Sequence, residues 1–399
     1  MKIIHLITNS FPPKEGGLEK RLLRLTNSFA ERGYHVIVYI CSMEMDAKLF
    51  EEYKSDKVEI KVVGSYTKLL YEPIRFSGWS DIRNTMEKFR FDFIVLKNLV
   101  SEQLNAYKTD DHLILSSYIT NSGFTACNIA MEFNIPHIAS VVGTDFSRGF
   151  RNPIERQSID FVINNATCVV SVNNEFRNII KGLNRNVNIF TIHTSISDVV
   201  KSKRWYKQTS SKTINLFSDI GFCHKKGTNI LVESLRYLLD CDFDVKLVLC
   251  GKTNAKEIDY WNAKKKEYKT LFAERIHILD YITEENLHSL ILESDLYCYP
   301  TISEGCSNSR CAALCLGIPM VTTNCGEILD LIDDFSHIFY CNPGDLVAFQ
   351  QLLKEVCLKF LNGEIEINTL KLDKVKKHLS IDREINEWLN VLDFALAAK

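Results

Sequence analysis

No run of about 18 apolar residues occurs anywhere in the sequence, so no segment predicts a membrane-spanning helix. The opening MKIIHLITNSFPP enters a strand at once and is too short and interrupted for the apolar region of a signal peptide. Charge of one sign is lacking as well. Lys and Arg total 48 against 50 Asp and Glu, a net charge of −2. No bulk basicity therefore points to nucleic acid as a partner. Thirteen cysteines are present, an odd number, yet none forms a Cys-x-x-Cys pair. They are expected to be small buried side chains in a reducing, cytoplasmic setting. Cys311 and Cys315 share a helix face, but no further ligand stands near them in sequence, so no metal site is expected there. Gly-x-Gly-x-x-Gly is absent too, and no acid closes the second predicted strand, which argues against a nicotinamide-dependent dehydrogenase.

What is present is a regular alternation of short β-branched runs and helical periodicities. KIIHLIT (2–8) reads as a strand, Leu18, Leu22, Leu25 and Phe29 recur at helical spacing, and YHVIVYIC (34–41) returns as a strand after Gly33. Such a βαβ unit implies a parallel sheet. The alternation continues through 58–64, a helix ending near Phe89, FDFIVLKN (91–98) as a strand, 112–117, 136–145, 167–172 and 188–195. A polar stretch at 196–212 follows, and then a second series begins with TINLFSDIG (213–221). Further strands are expected over 244–251, 276–281, 295–301 and 319–324, with helices between them. The last helices are expected over 345–361 and 382–397. A length of 399 residues also suits two domains. The fold class is α/β: two Rossmann-like, doubly wound parallel-sheet domains facing across a cleft, with ligands beyond the carboxyl ends of the strands.

Chemistry-bearing residues gather at those strand ends. Gly16-Gly17 separates the first strand from the first helix and lets a phosphate approach helix amides, although a plain tight turn needs the same residues. Lys225-Lys226-Gly227 stands at the equivalent place in the second series, where a lysine could neutralise a diphosphate; a solvated loop is the commoner fate of such a pair. Ser303-Glu304-Gly305-Cys306-Ser307-Asn308-Ser309 follows a strand and opens a helix. A carboxylate beside a helix mouth rich in amides suits a polyol joined to a phosphate, against the simpler role of an acid on the helix dipole. Gly143-Thr144-Asp145 sets a carboxylate at a strand end of the first series, where an N-cap would look the same. DCDFD (240–244) reads as a turn because it lacks the glycine and distal glutamate of a calcium loop. His193 and His224 lie at strand ends, where a lone histidine is more often structural. Lys20, Arg21 and Arg24 flank an apolar helical stripe, the pattern of peripheral contact with a membrane's inner face, although a solvated face over a core stripe is the commoner origin.

Taken in order, these motifs resemble the retaining glycosyltransferases of the GT-B fold, family 4 (glycosyl transferases group 1), over essentially the whole chain. Gly16-Gly17 with Glu19 is similar to the family's Gly-Gly-x-Glu loop, and Gly143-Thr144-Asp145 to its Gly-x-Asp loop. Lys226-Gly227 resembles its Lys-Gly, and Ser303-Glu304-Gly305 with Gly317-Ile318-Pro319-Met320-Val321 resembles its most specific block. Residues 324–330 loosely match a Gly-Gly-x-x-Glu turn, with Gly326 kept and Glu327 in place of the second glycine.

The resemblance implies an acceptor-side domain at 1–195, a linker at 196–212, a donor domain at 213–375 and a terminal segment, 376–399, crossing back to the first domain. It implies a UDP- or GDP-linked sugar as co-substrate, no cofactor and no metal, and transfer with retention to a glycan or lipid-linked acceptor. Glu304, Lys226 and Asp145 are the expected catalytic residues: Lys226 would meet the diphosphate, Glu304 the sugar hydroxyls, and Asp145 would point a carboxylate from the first domain. The amides of Ser307, Asn308 and Ser309 would take phosphate oxygens, with Lys225, Ser303, Gly305, Cys306, Gly16 and Gly17 completing the donor site. Two departures stand out. Ala312 occupies the place of a second glutamate that usually meets the ribose, and no arginine precedes Lys225, leaving Lys225 or Arg310 to compensate. A catalytically degenerate binding scaffold, or a sugar-nucleotide epimerase on the same frame, are the alternatives.

Overall fold

The computed structural model describes all residues except 15, 42–46, 64–78, 110, 197–211, 281, 333–334 and 399. The expected linker at 196–212 therefore falls almost wholly outside the described residues. The chain divides into two units, residues 1–194 with 384–399, and residues 195–383.

The first unit is built on a seven-stranded sheet. Its strands are β1 (Ile3–Thr8), β2 (His35–Cys41), β3 (Val58–Val63), β4 (His112–Ser116), β5 (His137–Val141), β6 (Cys168–Ser171) and β7 (Ile189–Thr191). They pair in parallel in the order β3-β2-β1-β4-β5-β6-β7. Every residue of β1 is buried, as expected of a central strand covered on both faces. The register sets Ile3 against His35 on one side and His112 on the other. Strand order reverses between β1 and β4, so the crevice of this sheet opens beyond their carboxyl ends.

FDFIVLKN (91–98) is not a strand; it lies inside the helix Trp79–Ala106. Along that helix Leu96 and, four residues on, Val100 are buried, while Ile94 within the expected strand is 47% exposed. That is helical periodicity, and a continuous apolar run concealed it. The helix Gly17–Glu31 buries Leu22, Leu25 and Phe29 as its spacing predicts. The terminal helix Ile381–Ala397 packs into this unit through Trp388, whose ring lies 6.5 Å from Phe29. Phe394 and Phe190 meet edge to face at 5.2 Å.

The second unit carries six strands, β8 (Ile214–Ser218), β9 (Val245–Cys250), β10 (Ile276–Leu279), β11 (Leu296–Tyr299), β12 (Met320–Thr323) and β13 (Ile338–Cys341). All pair in parallel in the order β10-β9-β8-β11-β12-β13. Here the reversal falls between β8 and β11. DCDFD is the turn into β9, with Asp242 at φ 63 and Asp244 bound to Arg275 at 2.6 Å. Strand β13 and the helix Thr369–His378 were not foreseen. The charged segment 255–272 breaks at Tyr268 into the helices Ile258–Glu267 and Lys269–Glu274. No helix among the described residues is long and apolar enough to cross a membrane.

Candidate functional site

The two strands that flank the reversal in the second unit supply the two charged residues that the sequence singled out. The segment after β8 leads to Lys226, and the segment after β11 leads to Glu304. The loops dock on each other through backbone. The amide of Ile302 donates to the carbonyl of Lys225 at 2.9 Å. Gly227 takes φ +80, and a Cβ there would lie 1.9 Å from the Pro300 carbonyl oxygen. Only glycine lets the lysine loop come this close. The carbonyl of Lys225 also accepts from Thr301 Oγ1 at 3.3 Å, and Ser303's carbonyl accepts from the same hydroxyl.

Docking brings Lys226 Nζ to 2.6 Å from Glu304 Oε2, to which it donates. Lys226 also donates to the Tyr299 hydroxyl at 2.9 Å. The pair is shielded but reachable, with side-chain exposures of 30% and 13%. Burial alone would lower the lysine's pKa, but the Tyr299 hydroxyl and the Glu304 carboxylate outweigh it and the net shift is upward. Burial would likewise raise Glu304, yet Lys226, then Arg310 and Lys225, hold its carboxyl below the ordinary range. Lys225 itself is lowered, chiefly by burial, with Glu304 opposing. Both members of the pair are therefore charged at neutral pH.

Beside this pair begins the helix Asn308–Leu316. Ser307 is its N-cap: Ser307 Oγ accepts from the amide of Arg310 at 3.3 Å and hydrogen-bonds to the Tyr299 hydroxyl at 3.0 Å. The first helical amides, those of Asn308 and Ser309, have no intrahelical acceptor and form the positive end of the dipole. Gly305 is buried, Cys306 is half-buried and Asn308 is exposed at the mouth. A fixed ammonium, a carboxylate and a helix N-terminus thus converge at the switch point of a parallel sheet. That set can bind an anion and hydroxyl groups at once.

Arg310 does not substitute for the missing arginine. It is fully buried, with Nε and Nη2 on the two carboxylate oxygens of Glu327 at 2.9 and 2.7 Å, and Nη2 on the Cys325 carbonyl at 2.8 Å. This fork fixes the turn at 324–327. Gly326, at φ +71, packs there against the carbonyl of Glu304, which a Cβ would meet at 2.9 Å. Ala312, where a second acid was missed, is 3% exposed and belongs to the core. His224 is tied by its Nδ1 to Glu257 at 2.7 Å.

The remaining candidates lie in the first unit. There Ser117 Oγ donates to Thr8 Oγ1 at 2.8 Å, joining the ends of β4 and β1. Glu19 folds back so that its carboxylate accepts from Ser10 Oγ and occupies the place where a side chain on Gly16 would begin. Lys14 Nζ lies 3.7 Å from the same carboxylate. Gly17 is the first residue of the helix. Asp145 is turned onto backbone: its two oxygens accept from the amides of Gly143 at 2.9 Å and Ile119 at 3.2 Å. Burial raises its pKa to about 6, against the downward pull of the amides of Ile119, Gly143, Phe146 and Val142. Tyr118 links the two motifs. It hydrogen-bonds to Ser10, and burial, then Asp145 and Glu19, push its hydroxyl up to about 12. Arg21 and Arg24, expected as part of a basic face, both donate to the buried Glu384, at 2.5 and 2.9 Å. His193 is buried in this unit.

Tyr299 and Tyr118 are absent from the expected site residues, and Arg310, expected only as a substitute for the missing arginine, is not paired with Glu327 by any sequence motif. The first had a signal, since Tyr297 and Tyr299 share a face at the end of a strand. Arg310 and Glu327 had one too, as charges set within apolar runs.

Residues 213–358 match the family described as glycosyl transferases group 1. The matched residues lie within the second unit, and the chain has the GT-B fold of its glycosyltransferase neighbours. Sucrose-phosphate synthase from Thermosynechococcus elongatus superposes with a TM-score of 0.76 over 100% of both chains at 14% identity. HepE of Anabaena, solved in complex with UDP, gives 0.72 over 98% of this chain and 100% of its own, also at 14%. TarM of S. aureus, solved with α-GlcNAc-glycerol and UDP, gives 0.69 over 98% and 100% at 11%. No curated protein sequence matches the chain.

Proposed function

We propose that this protein is a retaining glycosyltransferase that moves a sugar from a nucleoside-diphosphate sugar to a glycan or lipid-linked acceptor without a metal. The observation that carries the reading is the 2.6 Å Lys226–Glu304 pair beside a helix N-terminus at the β8/β11 reversal. Lys226 and the amides of Asn308 and Ser309 supply the positive charge that a leaving diphosphate needs. Glu304 accepts hydrogen bonds from the sugar's hydroxyls, and the leaving phosphate takes the acceptor's proton on the same face of the sugar. Neighbours of this fold include HepE, solved with UDP-glucose, which supports a nucleotide-sugar donor. Asp145, bound to backbone, positions the loops of the first unit, to which the acceptor side is assigned.

A donor panel tests this: UDP-, GDP- and ADP-linked sugars incubated with the protein, with release of nucleoside diphosphate as the readout. One donor is expected to be hydrolysed slowly, with the freed sugar keeping its anomeric configuration by NMR. Ala312 favours the degenerate scaffold as the second reading, because no acid stands there for a ribose. Binding of a nucleoside diphosphate without turnover of any donor would support it. A new nucleotide sugar formed without acceptor would point to an epimerase.

A further inference from the structure

One hydroxyl lies at the centre of the donor-side cluster without belonging to any of the motifs. Tyr299 is 2% exposed at the end of β11. Its oxygen takes a hydrogen bond from Lys226 at 2.9 Å and shares another with Ser307 at 3.0 Å. The network continues behind it. Ser307 Oγ lies 3.3 Å from Ser309 Oγ, Ser309 hydrogen-bonds to Tyr297, and Tyr297 donates to Asp219 at 2.5 Å. The Tyr299 ring stacks at 21° on Tyr297, and Lys226 and Arg310 each lie about 5.5 Å from its centre, at 5.5 and 5.4 Å. The phenol is thus fixed by strand, stacking partner and cap residue.

Its placement answers a problem in the proposed chemistry. When Glu304 turns to a donor sugar, Lys226 loses its ionic partner and would be free to swing. A second carboxylate at that point would hold the lysine but cancel the charge needed by a diphosphate. A neutral hydroxyl holds it without cancelling anything. We infer that Tyr299 is a positioning residue for Lys226, anchoring the ammonium toward the donor diphosphate and backed by Ser307 at the helix cap. This inference rests on the donor reading of the same site. The phenol stays neutral because burial, and then the Glu304 charge, raise its pKa.

The test is a double-mutant cycle of Tyr299→Phe and Lys226→Met, read by calorimetry with UDP and GDP and, without ligand, by urea unfolding of the four proteins. Phenylalanine keeps the ring and its packing. A residue acting through Lys226 predicts about tenfold weaker nucleotide binding for Tyr299→Phe in the wild-type background, and no further loss in Lys226→Met. The unfolding free energies should show the same non-additivity. Equal losses in both backgrounds would mean that Tyr299 acts only as a structural element and would overturn the inference. So would Tyr299→Phe with full affinity. Failure of the wild type to bind UDP, GDP or, in a further titration, ADP would overturn the donor reading itself, a different outcome, and this inference with it.

Discussion

Glu304 and Asp145 occupy like places in sequence, each just after a strand and near the mouth of a helix, but their surroundings differ. Glu304 faces a lysine, keeps 13% of its side chain exposed, and has its carboxyl pulled down by charge. Asp145 faces backbone amides, is 7% exposed, and has its carboxyl raised to about 6 by burial. A carboxylate that meets a cation at an open mouth can exchange that partner for a ligand. One that braces two backbone turns has no oxygen to spare. The two units also hold a buried Arg–Glu pair each, and these differ in the same way. Arg310–Glu327 is closed, with neither side chain exposed. Glu384 serves two arginines, of which Arg24 keeps 23% of its side chain in solvent.

The largest expected effect breaks the second comparison. Glu327→Ala strands a fully buried guanidinium and should cost about 3–5 kcal/mol in urea unfolding. Glu384→Ala should cost less, roughly 2 kcal/mol, because Arg24 can hydrate and Arg21 also reaches the Ile192 carbonyl at 3.4 Å. Equal losses would refute the contrast drawn between the two pairs.

Function comes next. Glu304→Gln keeps the side chain's shape and should still fold, with some loss of stability at neutral pH, yet lose most donor turnover, on the order of a hundredfold. Asp145→Asn should instead alter loop stability, with turnover falling only as far as the loop loosens. If the two variants exchanged these phenotypes, the roles assigned to the acids would be reversed.

The same comparison is sharpened through pH. Asp145 has a folded pKa above its unfolded value, so the folded state binds its proton more readily. Its contribution is most favourable below about pH 4 and is lost as pH rises through about 6, by roughly 3 kcal/mol in all. Glu304 runs the other way. Its depressed pKa makes its contribution fully present above the unfolded value near 4.3 and lost as pH falls through the folded one. Stability measured from pH 3 to 7 should therefore lose its Asp145 component in Asp145→Asn and gain relative steadiness in acid in Glu304→Gln.

Much of this arrangement was legible in the residues. The two series of strands, the helix mouth after β11 and the Lys-Gly turn after β8 follow from periodicity and from where the glycines fall. The helix over 79–106 was misread in its second half because its apolar residues run together, and the strand interpretation needed Ile94 to be buried. Pairings across the fold could not be read. Tyr299 meets Lys226 from 73 residues away, and Arg310 meets Glu327 across a strand. Spacing says which face a side chain takes but not which distant charge will meet it. The basic helix face shows the same limit. Arg21 and Arg24 looked available for a membrane until the terminal helix placed Glu384 against them.

Lys226 and Glu304 are together assigned as a site for a diphosphate-linked sugar. Calorimetric titration of UDP, GDP and the corresponding monophosphates into the wild type and Lys226→Met tests it most directly. One diphosphate is expected to bind, and Lys226→Met to weaken it about ten- to a hundredfold, with a smaller loss for the monophosphate. Undiminished diphosphate binding by Lys226→Met would contradict it.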